Sequence, residues 1–254
     1  FHGVLSFLRG GSNRGREAFK KKPAQSFYVY YGPPEDAVGR LRDYDMAFVE
    51  LRSTSDEVGH KLKEDVKHLI AYLSCGEATG DLVPQTPKDA QMGVNRYGWD
   101  SVYANPSHPG WISLLARYAS TLINRGADGL LLDTVDTVDI FPHIHDGMVE
   151  LVRMLRKRFP NKILILNRGF SILKACLDNS LIDAVMFETM VRREFNAADR
   201  EWVENQCWRL KQSGVPTYTI NYRTLCDEAE CERMAREYGF VYVMSPEQSL
   251  MALP

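Results

Sequence analysis

No stretch of this chain approaches eighteen consecutive apolar residues, so no membrane-spanning helix is expected. Cysteine is sparse: there are five, and no CxxC spacing occurs. That excludes the usual zinc-finger and thioredoxin patterns. Cys75 and Cys176 lie in apolar settings and read as small core residues, whereas Cys226 and Cys231 are near enough in sequence to be bridged or left free. No GxGxxG follows the first apolar run, and GxxxxGK[ST] is absent, so dinucleotide-binding and P-loop sheets lose their phosphate cradle. Charge of one sign is also lacking. The net charge is −2, unevenly spread: residues 1–25 carry six basic residues against Glu17 alone, leaving the remainder near −7. A mildly acidic body fits a neutral or cationic ligand better than nucleic acid. The chain opens on Phe1 rather than Met, and its basic, Gly-rich first 25 residues read as a flexible leader.

What is present from residue 26 onward is alternation. Eight short apolar runs occur at 26–31, 46–51, 68–74, 129–133, 162–167, 182–188, 216–221 and 240–245. Each is nearly continuous rather than two-periodic, as in strands buried on both faces of a parallel sheet. Amphipathic stretches at 110–125, 146–158, 199–212 and 227–238 read as helices between them. Eight strands in roughly 220 residues, with no linker and no internal repeat, predict an α/β fold: one (β/α)8 TIM barrel over 26–254. Only PEQSLMALP follows the last run, so the eighth helix is expected to be short. The segment 75–109 is long and rich in Gly, Pro and Asn, and such loops are usually functional.

Barrel active sites form at the C-terminal ends of the strands. There the sequence offers Tyr30 and Tyr31, Glu50, Ser74 and Glu77, Asp133, Asn167 and Arg168, Glu188, Asn221 and Tyr222, and Ser245. Asp133 closes GLLLD and Glu188 closes AVMFE. A charge at the end of a buried strand is costly unless it is paired or used. The two strands are expected to be separated by one other, which places their carboxyl groups about 5–9 Å apart. Such a pair suits glycosidic cleavage, where one acid protonates the leaving oxygen and the other carboxylate attacks or stabilises the anomeric carbon. The alternatives are structural: Asp133 as a turn-starting residue, and Glu188 as a partner of Arg168, Arg192 or Arg193.

Asp133, Asp136 and Asp139 share a DxxDxxD run. A metal would need these acids on one helical face, and this segment leaves a strand, so no metal or cofactor is expected. Asp136 reads instead as an orienting partner of Asp133 or a helix cap. His143 and His145, which follow, read as solvated residues at a helix start. Tyr30, Tyr31, Tyr72, Tyr97, Trp99, Tyr103 and Tyr222 fall near strand ends or in the long loop, where rings can pack on sugar C–H faces.

The segments YYG (30–32), AYLSCGE (71–77), DGLLLDTVDTVD (128–139), ILNRGF (165–170) and VMFE (185–188) resemble, in order, the glycoside hydrolase family 114 type barrel. That group includes endo-α-1,4-polygalactosaminidases and hydrolase domains of Pel-type exopolysaccharide systems. The resemblance implies metal-free hydrolysis of α-1,4-linked galactosamine or N-acetylgalactosamine polymers by an extracellular or periplasmic enzyme. Its catalytic acids match Asp133 and Glu188, and a site residue of the YLS-x-GE motif matches Glu77. Cys75 in that motif and the short C-terminus depart from the pattern. Glu50, Tyr72, Asp136, Arg168, Asn167, Asn221 and Tyr222, with the tyrosines above and Trp99, complete the expected sugar contacts. A polysaccharide is the expected partner, and the chain is expected to act as a monomer. A catalytically inactive sugar-binding barrel is the alternative. A phosphate-using lyase or aldolase is disfavoured, because no Gly-rich run follows the last two strands and no strand ends in Lys.

Overall fold

The apolar runs become strands because each supplies side chains to two hydrophobic layers at once. In the computed structural model, which describes residues 14–97 and 100–254, the chain begins with helix α1 (Arg14–Lys21). It continues through strand β1 (Phe27–Tyr30), the single turn α2 (Pro34–Ala37), β2 (Met46–Val49), α3 (Asp56–Asp65) and β3 (His68–Ser74). An excursion carries β4 (Glu77–Thr79), β5 (Gln91–Val94) and β6 (Ser101–Ala104). Then come α4 (Pro109–Asn124), β7 (Gly129–Asp133), α5 (His145–Arg158), β8 (Ile163–Asn167), α6 (Phe170–Asp178), β9 (Ala184–Met186), α7 (Ala197–Ser213), β10 (Thr217–Tyr222), α8 (Glu228–Tyr238) and β11 (Val241–Ser245).

Eight strands form one parallel sheet in the order β1-β2-β3-β7-β8-β9-β10-β11. Sequential parallel strands with helical crossovers roll into the (β/α)8 barrel expected from the spacing. Residues alternate between its two layers. Phe27, Phe48, Ile70, Leu131, Ile165 and Ile220 fill the interior. Val49, Leu69, Leu132, Leu166 and Val185 pack outward with the helices. Seven strand seams carry ladder pairing. At the eighth, between β11 and β1, the C-terminal segment joins in: Tyr31 N–H donates to the Leu250 carbonyl (2.7 Å) and the Tyr28 hydroxyl to that of Ala252 (2.8 Å). The expected short last helix is a turn at residues 246–249, from which this strap runs on without regular structure.

Two regions depart from the expectations. Residues 1–13 of the expected leader lie outside the described residues. Residues 14–25 carry α1, whose Phe19 is 1% exposed and inserts into the barrel interior with Ala24. The Phe19 ring packs edge-on to His68 (5.4 Å) and against Tyr218 (6.5 Å). Arg16 Nε donates to Asp183 Oδ1 at 2.8 Å. The helix thus plugs the N-terminal mouth of the barrel. A single aromatic among basic and small residues left no apolar period to reveal it.

The long loop is also more regular than expected. Its β4, β6 and β5 form an antiparallel sheet in that order, standing beside the C-terminal ends of the barrel strands. Three- and four-residue strands are too short for a hydrophobic period to show in sequence. The indole of Trp111, fully buried at the start of α4, donates to the Cys75 carbonyl (2.9 Å) and ties the excursion's two ends together. All five cysteines are buried and free, with Cys226 and Cys231 Sγ atoms 2.9 Å apart.

Candidate active site

Three neighbouring strands deliver the polar centre: β7 ends on Asp133, β8 on Asn167, and Glu188 lies two residues beyond β9. Each is followed by a non-glycine residue in the left-handed region: Thr134 (φ 57°), Arg168 (φ 56°) and Thr189 (φ 54°). For β-branched threonine this conformation is a genuine outlier, and such strain concentrates at functional sites. It turns the backbone sharply outward while the preceding side chain stays in the barrel mouth. Local bonds hold the turns. Thr134 Oγ1 accepts from Gly76 N–H and shares a hydrogen bond with Ser74 Oγ, both at 2.8 Å. Thr189 N–H donates to the Ile220 carbonyl (2.8 Å). A side chain at Gly76 would collide with the Thr134 carbonyl, so the β3 turn requires glycine there.

The two carboxylates meet through one amide. Asn167 Nδ2 donates to Asp133 Oδ1 and to Glu188 Oε2, each at 2.8 Å. The two acceptor oxygens therefore lie within about 6 Å of each other, close to the retaining rather than the inverting spacing. The Tyr72 hydroxyl donates to Asp133 Oδ2 (2.7 Å), and the Tyr222 hydroxyl to Glu188 Oε1 (2.5 Å). Tyr31 packs edge-on to Tyr72 at 5.2 Å. All four carboxylate oxygens thus face neutral donors. Among the described residues, no Lys or Arg comes within ion-pair distance of either acid. Burial, followed by the Asp133 charge, pushes the Glu188 carboxyl above its ordinary range. Burial pushes the Tyr31, Tyr72 and Tyr222 phenols upward, with Asp133 adding to all three and Glu188 to Tyr31 and Tyr222, which keeps the Tyr72 and Tyr222 hydroxyls protonated donors.

A cavity of about 650 Å³ opens over this centre. Tyr31, Glu50, Tyr72, Glu77, Asp133 and Glu188, all expected at the site, line it. Glu77 accepts from Ser101 Oγ (2.6 Å) and Asn95 Nδ2 (3.1 Å), which anchors it to the excursion sheet. Glu50 accepts from the Arg52 backbone N–H (2.8 Å), and burial raises its carboxyl despite the neighbouring Arg52. Arg52 reaches across to Thr79, donating to its hydroxyl (2.8 Å) and carbonyl (3.1 Å), so the excursion is tied to the barrel rim.

Other expected residues are placed differently. Tyr30 is buried in the outward layer between sheet and helices, because alternation along β1 sends Tyr31 to the cavity instead. Asn221 is fully buried and structural: its Oδ1 accepts from Val191 N–H (3.1 Å) and its Nδ2 donates to Thr219 Oγ1 (3.1 Å), fixing the turn after Glu188. Arg168 lies over the Phe187 and Trp202 rings and donates to the Glu188 carbonyl (3.0 Å), bracing the backbone rather than reaching the cavity. Asp136 stands beside Asp133 but off the cavity wall. Loss of hydration and the Asp133 charge raise its carboxyl to about 6, a rise tempered by the 45% of its side chain left in solvent. Tyr97 is 83% exposed and does not line the cavity, and Trp99 lies outside the described residues.

Sequence reasoning missed Arg52, Ser53, Thr79, Asn95 and Thr134, and the strap residues Gln248–Leu250, all on the cavity wall. Thr134 had a signal, as the polar residue directly after a strand-end acid. The strap had none, since its place depends on the open barrel seam. Among the described residues, no group of three or more His, Cys, Asp or Glu side chains is placed to hold a metal ion.

The fold has solved counterparts. The glycoside hydrolase domain of PelA from Pseudomonas aeruginosa is 25% identical, with a TM-score of 0.77 over 91% of this chain and 97% of that one. Aspergillus fumigatus Ega3, in complex with galactosamine, is 16% identical with a TM-score of 0.70, covering 88% of this chain and 92% of that one. An α-galactosidase from Thermus thermophilus shares the fold at 13% identity and a TM-score of 0.58, over 96% of this chain and 64% of that one. No curated protein matches the chain in sequence. The model of glycoside-hydrolase family GH114 matches residues 11–248, and the chain belongs to that family.

Proposed function

We propose that this glycosidase is an endo-acting enzyme that cleaves α-1,4-linked galactosamine or N-acetylgalactosamine polymers by a two-carboxylate retaining mechanism. The observation that carries the reading is the Asp133–Asn167–Glu188 bridge at the floor of the cavity. Glu188, whose carboxyl is raised by burial, is the general acid that protonates the leaving glycosidic oxygen. Asp133 attacks the anomeric carbon to give a glycosyl ester. Glu188, now ionised, then draws the proton from the water that releases the product.

Tyr31 and Tyr72 offer ring faces to the sugar, and Glu50 and Glu77 give the wall a negative character suited to a cationic amino sugar. Tyr97 is assigned to sugar units beyond the cavity, and Asp136 to orienting Asp133. No metal or cofactor takes part. The likeness to the glycoside hydrolase domain of PelA, and to Ega3 in complex with galactosamine, supports a glycosidase acting on an amino-sugar polymer; action outside the cytoplasm, as a monomer, belongs to the same proposal. Among the described residues, no helix is long and apolar enough to cross a membrane.

The test is incubation with acetylated and deacetylated galactosaminan, read by product mass and by NMR of the new anomeric centre. Internal cleavage with retained configuration is expected, and Glu188→Gln should fold and release nothing. Inverted products, or normal turnover by Glu188→Gln, would reject the assignment.

A further inference from the structure

Asn167 stands on a barrel strand end among expected sugar ligands, yet its hydrogen bonds are spent inside the protein. Both hydrogens on its nitrogen go to carboxylates, one to Asp133 and one to Glu188. Its Oδ1 is buried and has no partner. A buried orphan acceptor is a cost that folds rarely carry without a reason. Here the reason is orientation: turning the amide over would satisfy nothing and set its oxygen against two acids.

We propose that Asn167 is a positioning residue that bridges the two acids and follows the negative charge between them through the reaction. In the resting site Asp133 is the anion and Glu188 holds the proton. During glycosylation an Asp133 oxygen bonds to the anomeric carbon as the bond to the leaving oxygen breaks, and the Glu188 proton passes to that leaving oxygen. Asp133 is then a neutral ester and Glu188 the carboxylate. In the second step water adds to the anomeric carbon, the ester bond breaks, and the water's proton goes to Glu188. The Asp133–Glu188 pair carries one negative charge throughout, but the charge changes residue twice. A single amide with one N–H on each acid keeps a donor on the anion in both states without moving. That is electrostatic preorganisation, which avoids reorganisation at the moment of reaction.

The inference rests on the two-carboxylate reading above, so its test includes a readout that needs no turnover. The charged and titratable groups acting on Glu188 are Asp133 at the end of β7, Arg168 beyond β8, Tyr31 beyond β1 and Tyr222 on β10; Glu50, Tyr72 and Glu77 line the same cavity, and Asp136 follows β7 beside Asp133. All are retained in Asn167→Leu, which keeps the side chain's shape and removes both donors. With 13C-labelled Glu side chains, NMR titration of substrate-free protein is expected to place the Glu188 carboxyl higher in the variant than in wild type. The donor that favours its ionised form is gone. Correspondingly, kcat is expected to fall on the order of 10–100-fold, with the basic limb of its pH profile moved to higher pH and KM little changed.

Asn167→Ala, read the same way, covers a failure of the leucine variant to fold. An unmoved Glu188 titration, or a rise in KM at unchanged kcat, would overturn the proposal in favour of a packing or sugar-binding asparagine. Absence of hydrolysis by wild type on any galactosaminan would instead sink the functional reading, and the titration would still decide the bridge.

Discussion

Two acids flank the same short strand, the buried Asp183 just before β9 and the half-buried Glu188 just after it, and they are treated in opposite ways. Asp183, at the N-terminal mouth, has no side-chain exposure and two guanidinium partners, Arg16 (2.8 Å) and Arg156 (2.6 Å), as well as the Leu164 N–H (3.0 Å). Glu188, at the C-terminal mouth, receives only the neutral Asn167 and Tyr222 donors. A buried charge met by full countercharge is locked in one state and serves architecture. A buried acid met by neutral donors keeps both protonation states within reach, which proton transfer requires. The plugged mouth holds the barrel together, and the open mouth carries the proposed chemistry.

Exchanging the treatments should break this contrast most visibly in activity. Glu188→Gln is expected to lower kcat by at least about 10²–10⁴-fold with the far-UV spectrum unchanged. A smaller loss would mean that the general acid lies elsewhere. At the other mouth, Asp183→Asn strands two guanidinium groups in a buried setting and should cost about 3–5 kcal/mol of stability by denaturant melt. Turnover per folded molecule should be nearly unchanged, and a selective loss of kcat would erase the distinction between the two ends.

The pH dependence of stability sharpens the same point. Because the folded Glu188 carboxyl sits above its ordinary range, the folded state holds a proton that the unfolded state has released. The contribution is therefore complete below the ordinary glutamate range and is lost as pH rises through the folded value. Thermal melts of wild type should fall relative to Glu188→Gln over that window, and parallel curves would contradict the raised carboxyl. The smallest expected effect belongs to Tyr222→Phe, which removes one donor from Glu188 and keeps the ring. It should move the basic limb of kcat upward and lower kcat about tenfold. An unmoved limb would show that Tyr222 does not act on Glu188.

Legibility in the sequence followed residue environment. The parallel strands were visible because burial on both faces leaves continuous apolar runs, and Asp133 and Glu188 stood out as charges ending such runs. Their partners were harder to assign. Tyr30 and Tyr31 are adjacent, and only the pleat decides which one faces the cavity. Asn167 closes β8 and Asn221 stands one residue before the end of β10, yet one bridges the two acids and the other pins Val191. Helix α1 was hidden because Phe19 alone carries its packing.

Local periodicity and strand-end chemistry by themselves determined the α/β alternation, the barrel count and the pair of acids, since each is set by neighbours within a few residues. Contacts spanning dozens to hundreds of positions were decided only by the tertiary structure. It brought Arg16 to Asp183, laid the 246–252 strap along the open seam, and joined the two acids through one amide. Such contacts depend on how the sheet closes, and no local pattern encodes that closure.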